Sequence, residues 1–137
     1  MTRPSSEETA SEVLGKTGVG PSGYTAARAF GLTTQLPGQP SFTVAGPVPS
    51  ALTGFRVSRR NNTRRRNLRY TEIALLALLR GDWETTVDGG WPALVSAYRS
   101  ALQSGSVRPK AISDAMPGER SPAAPRNFEQ LNIAAAA

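Results

Sequence analysis

The strongest pattern in the chain is a nearly unbroken run of apolar residues between positions 73 and 79. A helix that is apolar on all sides belongs in a protein core, so this run predicts a central helix near 71–80, with Thr71 as its N-cap. Further along, apolar side chains recur at intervals of three and four, which predicts an amphipathic helix over 91–104. Shorter helices are predicted over 24–30 and 109–116, where glycine or proline marks the ends.

Short stretches of β-branched and apolar residues predict three strands, near 33–36, 42–45 and 54–59. A Pro-Gly-Gln-Pro turn at 37–40 separates the first two strands and favours a hairpin. We therefore predict an α+β fold in which a small antiparallel sheet packs against two or three helices. The expected core consists of Phe30, Leu32, Phe42, Val44, Phe55, Val57, Ile73, Leu76, Leu79, Trp91, Leu94, Val95, Tyr98 and Leu102.

Proline and glycine divide the chain into a central domain and two ends. Residues 22–116 contain the strong patterns and predict a single α+β domain. Residues 1–21 are mostly polar and predict a flexible N-terminal arm with a short helix, and residues 117–137 predict a weakly ordered C-terminal tail rich in proline and alanine. Gly18 to Gly23 spell G-x-G-x-x-G, but no apolar strand precedes them, so we interpret them as a hinge and not as a dinucleotide site.

Charge changes this picture more than overall composition does. The chain carries 16 Lys and Arg against 10 Asp and Glu, a net charge of +6. Seven of the cations fall between positions 56 and 69 with no acidic residue among them: Arg56, Arg59, Arg60, Arg64, Arg65, Arg66 and Arg69. Guanidinium groups match phosphate oxygens bidentately, so we predict that this segment contacts the backbone of nucleic acid. The alternative is a solvated charged loop that serves solubility.

Candidate chemistry is sparse. The chain has no cysteine and no histidine, which excludes thiolate nucleophiles, imidazole bases and zinc sites built on sulfur or imidazole. Asp82, Glu84 and Asp88 form an acidic cluster, but their spacing matches no known ligand pattern for a hard cation such as magnesium. We therefore expect no enzyme activity, no cofactor and no metal. With no apolar leader or membrane-length segment in the sequence, we expect a cytoplasmic protein.

Several stretches, taken in order, resemble AbiEi-type antitoxins of type IV toxin–antitoxin systems. The first is residues 22–35, which read SGYTAARAFGLTTQ. The resemblance continues through FTVA at 42–45, FRVSR at 55–59, the helix YTEIALLALLR at 70–80 and the turn GSVRP at 105–109. Together these stretches cover roughly residues 22–116.

The resemblance implies a cytoplasmic antitoxin that regulates transcription of its own operon and counters a nucleotidyltransferase-like toxin. Members of that family carry an N-terminal winged-helix domain that reads DNA, and residues 1–21 are too short to form one. We therefore expect the basic segment to hold the nucleic-acid backbone without reading bases. Oligomers of the chain are compatible with this expectation. The alternative is a small structural or assembly protein, for example a phage or complex component, that binds neighbours through its basic loop and free ends.

Overall fold

The computed structural model describes residues 19–33, 41–45, 56–60 and 62–137. The first half contains strand β1 (Gly20–Pro21), helix α1 (Gly23–Ala29), strands β2 (Ser41–Val44) and β3 (Arg56–Arg59), a 3₁₀ helix (Thr63–Asn67) and helix α2 (Tyr70–Ala77). The second half contains a π-helical turn (Leu78–Asp82), α3 (Trp83–Thr86), α4 (Gly90–Ser104), α5 (Pro109–Ala115), a 3₁₀ turn (Met116–Gly118) and α6 (Ala123–Ala136). The helices predicted over 24–30, 91–104 and 109–116 are confirmed to within one residue at their ends, and the one predicted near 71–80 is confirmed as α2 together with the π-helical turn that continues it. The short helix predicted in the N-terminal arm lies outside the described residues.

The three strands form one sheet in the order β1-β2-β3. β1 runs antiparallel to β2, with Gly20 opposite Thr43, whereas β2 runs parallel to β3, with Phe42 opposite Val57. The α+β class is therefore right, but the prediction of an antiparallel sheet is wrong for its second pair. A parallel pair requires a connection longer than a hairpin turn, and the segment between 44 and 56 has that length. Most of the predicted strand at 33–36 lies outside the described residues.

The core is centred on α2 and the π-helical turn that extends it, where Ile73 to Leu79 are all buried. Helices α1, α4 and α6 pack around this segment, as its all-round apolar surface predicts. Of the expected core residues, nine are buried: Leu32, Phe42, Val44, Ile73, Leu76, Leu79, Leu94, Val95 and Tyr98. Three more pack against the core while partly exposed: Phe30, Trp91 and Leu102. The side chains of Phe55 and Val57 lie outside the described residues.

The C-terminal segment 117–137 is not a loose tail, and that prediction is wrong. Its helix α6 buries Ala124, Phe128 and Leu131, which are spaced four and three positions apart on one face. Alanine is the strongest helix former, so the alanine-rich composition that indicated disorder instead supports a helix once two large apolar residues anchor it.

The N-terminal boundary of the domain also moves. Gly20 and Pro21, predicted as the end of the arm, pair with β2 as the edge strand. A side chain at Gly20 would overlap that of Ile73 on α2, so the close approach of β1 to the core requires glycine there. The rest of the predicted arm, residues 1–18, lies outside the described residues. No helix in the described ranges is long and apolar enough to cross a membrane.

Candidate nucleic-acid interface and its buried support

The basic segment is ordered by a short 3₁₀ helix that sorts its arginines into buried and exposed positions. Asn62 begins the helix, and its side-chain oxygen accepts a hydrogen bond from the backbone N–H of Arg64 (3.2 Å). Residues three apart lie on the same face of a 3₁₀ helix, and Asn62, Arg65 and Leu68 are all buried. The same period leaves Arg64, Arg66 and Arg69 exposed.

Arg65 is fully buried, and the prediction that it contacts nucleic acid is wrong. Its Nε donates to Glu119 Oε2 (2.9 Å), its Nη2 donates to Glu119 Oε1, and its Nη1 donates to the Thr43 hydroxyl (3.1 Å). The two parallel bonds to one carboxylate form the bidentate geometry that guanidinium favours. Arg65 therefore joins the basic segment to strand β2 and to the turn before α6, and has no exposed surface with which to reach a phosphate.

Glu119 is the acceptor on which this buried network converges. The Asn62 amide donates to its Oε2 and to the Ala115 carbonyl (2.9 Å), and Arg80 Nη1 approaches its Oε1 at 3.5 Å. Burial alone would raise the pKa of Glu119. Hydrogen bonds from Arg65 and Asn62, together with the positive charges of Arg65 and Arg80, outweigh burial and lower that pKa. Glu119 is therefore ionised in the folded protein at neutral pH.

The three exposed arginines use few of their donors within the protein. Arg64 donates one bond to the Asp114 carbonyl (3.2 Å), and Arg69 donates one to the Gly105 carbonyl (2.6 Å). Arg66 makes no side-chain hydrogen bond or ion pair with the described residues. A guanidinium group has five N–H donors, so most N–H groups of these three exposed side chains bond no described residue. The side chains of Arg56 and Arg59 lie outside the described residues, although their backbone forms β3.

A second buried carboxylate holds the neighbouring turn in place. Glu72 Oε1 accepts from the backbone N–H of Arg69 (2.7 Å), closing the first turn of α2, and Oε2 accepts from the backbone N–H of Arg108 (2.7 Å). The Arg108 side chain adds bonds to both oxygens, at 2.9 and 2.7 Å. The N-cap is therefore Arg69 and not Thr71 as predicted; the Thr71 hydroxyl donates to the Ser106 carbonyl (2.7 Å) instead.

Glu72 is charged for the same reason as Glu119. Burial raises its pKa, but hydrogen bonds from the Arg108 side chain and from the Arg69 and Arg108 backbones, with the charge of Arg108, lower it overall. Arg108 also donates to the Asn67 carbonyl at the end of the 3₁₀ helix (2.9 Å). Glu72 therefore joins the turn at 105–108 to Arg69 at the end of the basic segment.

The acidic cluster of the sequence does not form a metal site. Asp82 Oδ2 accepts from the backbone N–H of Gly23 (3.1 Å), at the first residue of α1, while Glu84 and Asp88 are exposed. No group of three or more acidic, cysteine or histidine residues lies close enough to hold a metal ion within the described part of the chain. The bond from Gly23 to Asp82 also occupies the N-terminus of α1, which is where a dinucleotide-binding G-x-G-x-x-G motif would place a phosphate.

The residues that sequence reasoning missed are the internal partners of the arginines: Thr43, Asn62, Glu72, Arg80, Arg108 and Glu119. The spacing of Asn62, Arg65 and Leu68 was the available signal, because an arginine at that period between two buried positions belongs to the inner face. Glu119 gave no such signal, since it follows Pro117-Gly118 in the segment predicted as a tail. No protein-family model, no curated protein and no solved structure matches this chain.

Proposed function

We propose that this chain is a non-enzymatic protein that binds the backbone of nucleic acid through the exposed arginines of the basic segment. The observation that supports this function is the arrangement of three exposed arginines: Arg64 and Arg66 project from one short helix that Arg65 and Asn62 fix to the core, and Arg69 follows two residues after that helix. Among the described residues no ion pair relieves their mutual repulsion, because the carboxylates of Glu119 and Glu72 face inward. A polyanion would relieve it and release counterions in return.

Backbone contact without base reading is the mode that these residues support. The exposed guanidinium groups extend from a 3₁₀ helix of five residues, which is too short to follow a groove over several base pairs. Contacts of this kind set position and affinity and carry little sequence information. We therefore expect duplexes of different sequence to bind with similar affinity.

The test is the affinity of the full chain for a labelled DNA duplex at several salt concentrations. Arg64→Ala/Arg66→Ala should weaken binding and reduce the slope of log affinity against log salt by about 1.8, since each phosphate contact contributes roughly 0.9. Arg28→Ala/Arg126→Ala is the matched control, because it removes the same charge from two other exposed arginines. Equal loss of affinity in both variants would mean that only net charge matters, and would overturn the proposal. Arg65 is left unchanged because its replacement would damage the core.

The biological role that we propose for this binding is that of an antitoxin-like regulator of transcription, supported by the resemblance of residues 22–116 to AbiEi-type antitoxins. The partner is then a nucleotidyltransferase-like toxin encoded beside it. Co-expression should restore growth of cells that express that toxin, and a promoter reporter should show repression. A neighbouring gene of another class, or no restoration of growth, would contradict this role and leave the backbone-binding proposal to be judged on its own test.

The assembly role has less support. It relied on free ends that fold only against neighbours, whereas α6 buries Phe128 and Leu131 in the protein's own core. That role also predicts that the C-terminal segment is cleaved readily by protease in the isolated chain, and we expect α6 to resist cleavage.

A further inference from the structure

Arg60 is the arginine of the basic segment whose environment neither the fold nor the proposed interface explains. It follows β3, where its backbone N–H donates to the Val44 carbonyl (2.9 Å), and its side chain is half-buried. Its Nε is shielded from solvent and has no hydrogen-bond partner. No described residue accepts a bond from the rest of its guanidinium group. A buried donor without an acceptor is costly, and a charged one more so.

The surroundings of Arg60 are richer in positive than in negative charge. Arg65 and Arg80 both contact Oε1 of Glu119, and both lie near enough to Arg60 to act on its charge. Burial, followed by Arg80 and then Arg65, lowers the pKa of Arg60, and the opposing effects of Glu119 and Asp82 do not restore it. Glu119 is already shared by Arg65, Asn62 and Arg80, so its lone pairs are largely committed.

We infer that Arg60 and Arg80 form a site for one oxyanion of the phosphate class, seated beside the buried Arg65–Glu119 pair. Arg80 is the side of this site that opens to water, with a quarter of its side chain exposed (25%), while Arg65 is closed off (1%). An oxyanion that enters beside Arg80 and binds both guanidinium groups would accept the N–H bonds that Arg60 lacks. It would also neutralise the charge that Glu119 leaves unbalanced. Guanidinium groups bind phosphate oxygens in this way, through charge-assisted and often paired bonds.

This site is distinct from the exposed arginines of the proposed interface. Arg64 and Arg66 are exposed on the 3₁₀ helix and Arg69 follows it, whereas Arg60 precedes that helix, is half-buried, and lies near enough to Arg80 and Asp82 to feel their charges. The same phosphate chemistry is found in a free phosphate ion and in a nucleic-acid backbone. Comparing phosphate binding with duplex DNA binding separates the two sources.

The experiment measures the thermal midpoint of the full chain with increasing inorganic phosphate, with chloride holding the ionic strength constant. Phosphate should raise the midpoint of the unaltered chain, because a ligand that binds only the folded state stabilises it. Arg60→Gln and Arg80→Gln should each weaken the apparent phosphate affinity about 10- to 100-fold, the loss expected for a charge-assisted bond. Arg28→Gln, which removes an exposed arginine outside both sites, is the matched control and should respond to phosphate as the unaltered chain does.

Arg60→Gln has a second readout that a purely structural role would not give. Without phosphate it should raise the thermal midpoint, because it removes a half-buried charge from between two other cations; a structural role would lower the midpoint. No stabilisation of the unaltered chain by phosphate, or equal loss of the response in Arg60→Gln and Arg28→Gln, would overturn the inference.

Duplex DNA then identifies the source of the phosphate. If Arg60→Gln weakens both phosphate and DNA binding, the site holds a backbone phosphate; if it weakens phosphate binding alone, the site holds a free phosphate. Failure of the Arg64→Ala/Arg66→Ala test leaves this result unaffected, so the two proposals can fail separately.

Discussion

Arg65 and Glu119 lie 54 positions apart in the chain and form a bidentate ion pair in which each side chain is only 1% exposed. The pair ties the 3₁₀ helix of the basic segment to the turn that precedes α6. Without Glu119, Arg65 would be a buried charge with no counter-charge, and without Arg65, Glu119 would keep only the partly exposed Arg80 as its cation, so the two positions depend on each other more than on their sequence neighbours.

Glu119→Gln should destabilise the protein by about 3–5 kcal/mol, because Arg65 would keep its buried charge without a counter-charge. Urea unfolding followed by circular dichroism measures this loss. Glu129→Gln, an exposed glutamate on α6, is the control and should change stability by no more than about 0.5 kcal/mol.

Arg65→Met/Glu119→Leu should be less destabilised than Glu119→Gln, because an apolar pair of similar size leaves no unpaired charge. The comparison uses the same unfolding assay. If the double variant were the less stable of the two, the unpaired charge would not be the cause of the loss in Glu119→Gln.

Acid should destabilise the protein through Glu72 and Glu119. Folding lowers the pKa of both below the ordinary value of 4.5, so the unfolded chain binds these protons more tightly than the folded chain does. Their contribution is therefore complete above pH 4.5 and is lost as the pH falls through the lower folded values. Urea midpoints measured across this range should fall with acid, and less steeply for Glu72→Gln. A Glu72→Gln curve parallel to that of the unaltered chain would contradict the assignment to Glu72.

Leu131→Ala should cost about 2–5 kcal/mol, since Leu131 is fully buried between α6 and the central helix segment. Ile133 lies two positions away on the same helix and is 59% exposed, so Ile133→Ala should change stability by about 0.5 kcal/mol or less. Thermal unfolding compares the two. Similar small effects would mean that α6 does not pack as described.

Gly118→Ala should destabilise the protein by about 1–3 kcal/mol, because the added Cβ would overlap the side-chain amide of Asn62. That amide bonds Ala115 and Glu119, so its displacement would disturb the Arg65 network. The overlap disappears in Asn62→Ala/Gly118→Ala, which should be no less stable than Asn62→Ala alone. A simple sum of the two single effects would show that the positions do not interact.

The spacing of apolar residues within each segment was enough to predict α1, α2, α4 and α5. It failed where residues distant in the sequence decide the structure. The apolar run 73–79 and the spacing from Trp91 to Leu102 predict helices because the helical period is a property of each segment by itself. The direction of β3 depends on how the chain returns to β2, and the order of α6 depends on a core formed by α2 and α4. Neither dependence is visible in the segments concerned.

The basic segment shows the same limit at the level of single residues. The seven arginines lie in a stretch without acidic residues and look equivalent in the sequence. The expectation that all seven contact nucleic acid was wrong for Arg65. The assignment of one arginine to the interior depends on Glu119, which follows a Pro-Gly turn with no pattern of its own. The exposed positions of Arg64, Arg66 and Arg69 follow only once the inner face of the 3₁₀ helix is known.

The closure of the Arg65 network by Glu119 has a consequence for synthesis of the protein. While the ribosome is still translating the second half of the domain, the growing polypeptide already contains Arg65 and strand β2, to which Arg65 bonds, but not the carboxylate that balances its charge. The portion that precedes Glu119 therefore cannot bury this guanidinium group in a balanced ion pair until Glu119 itself has been made. Formation of this buried network is thus delayed until Glu119 has been translated.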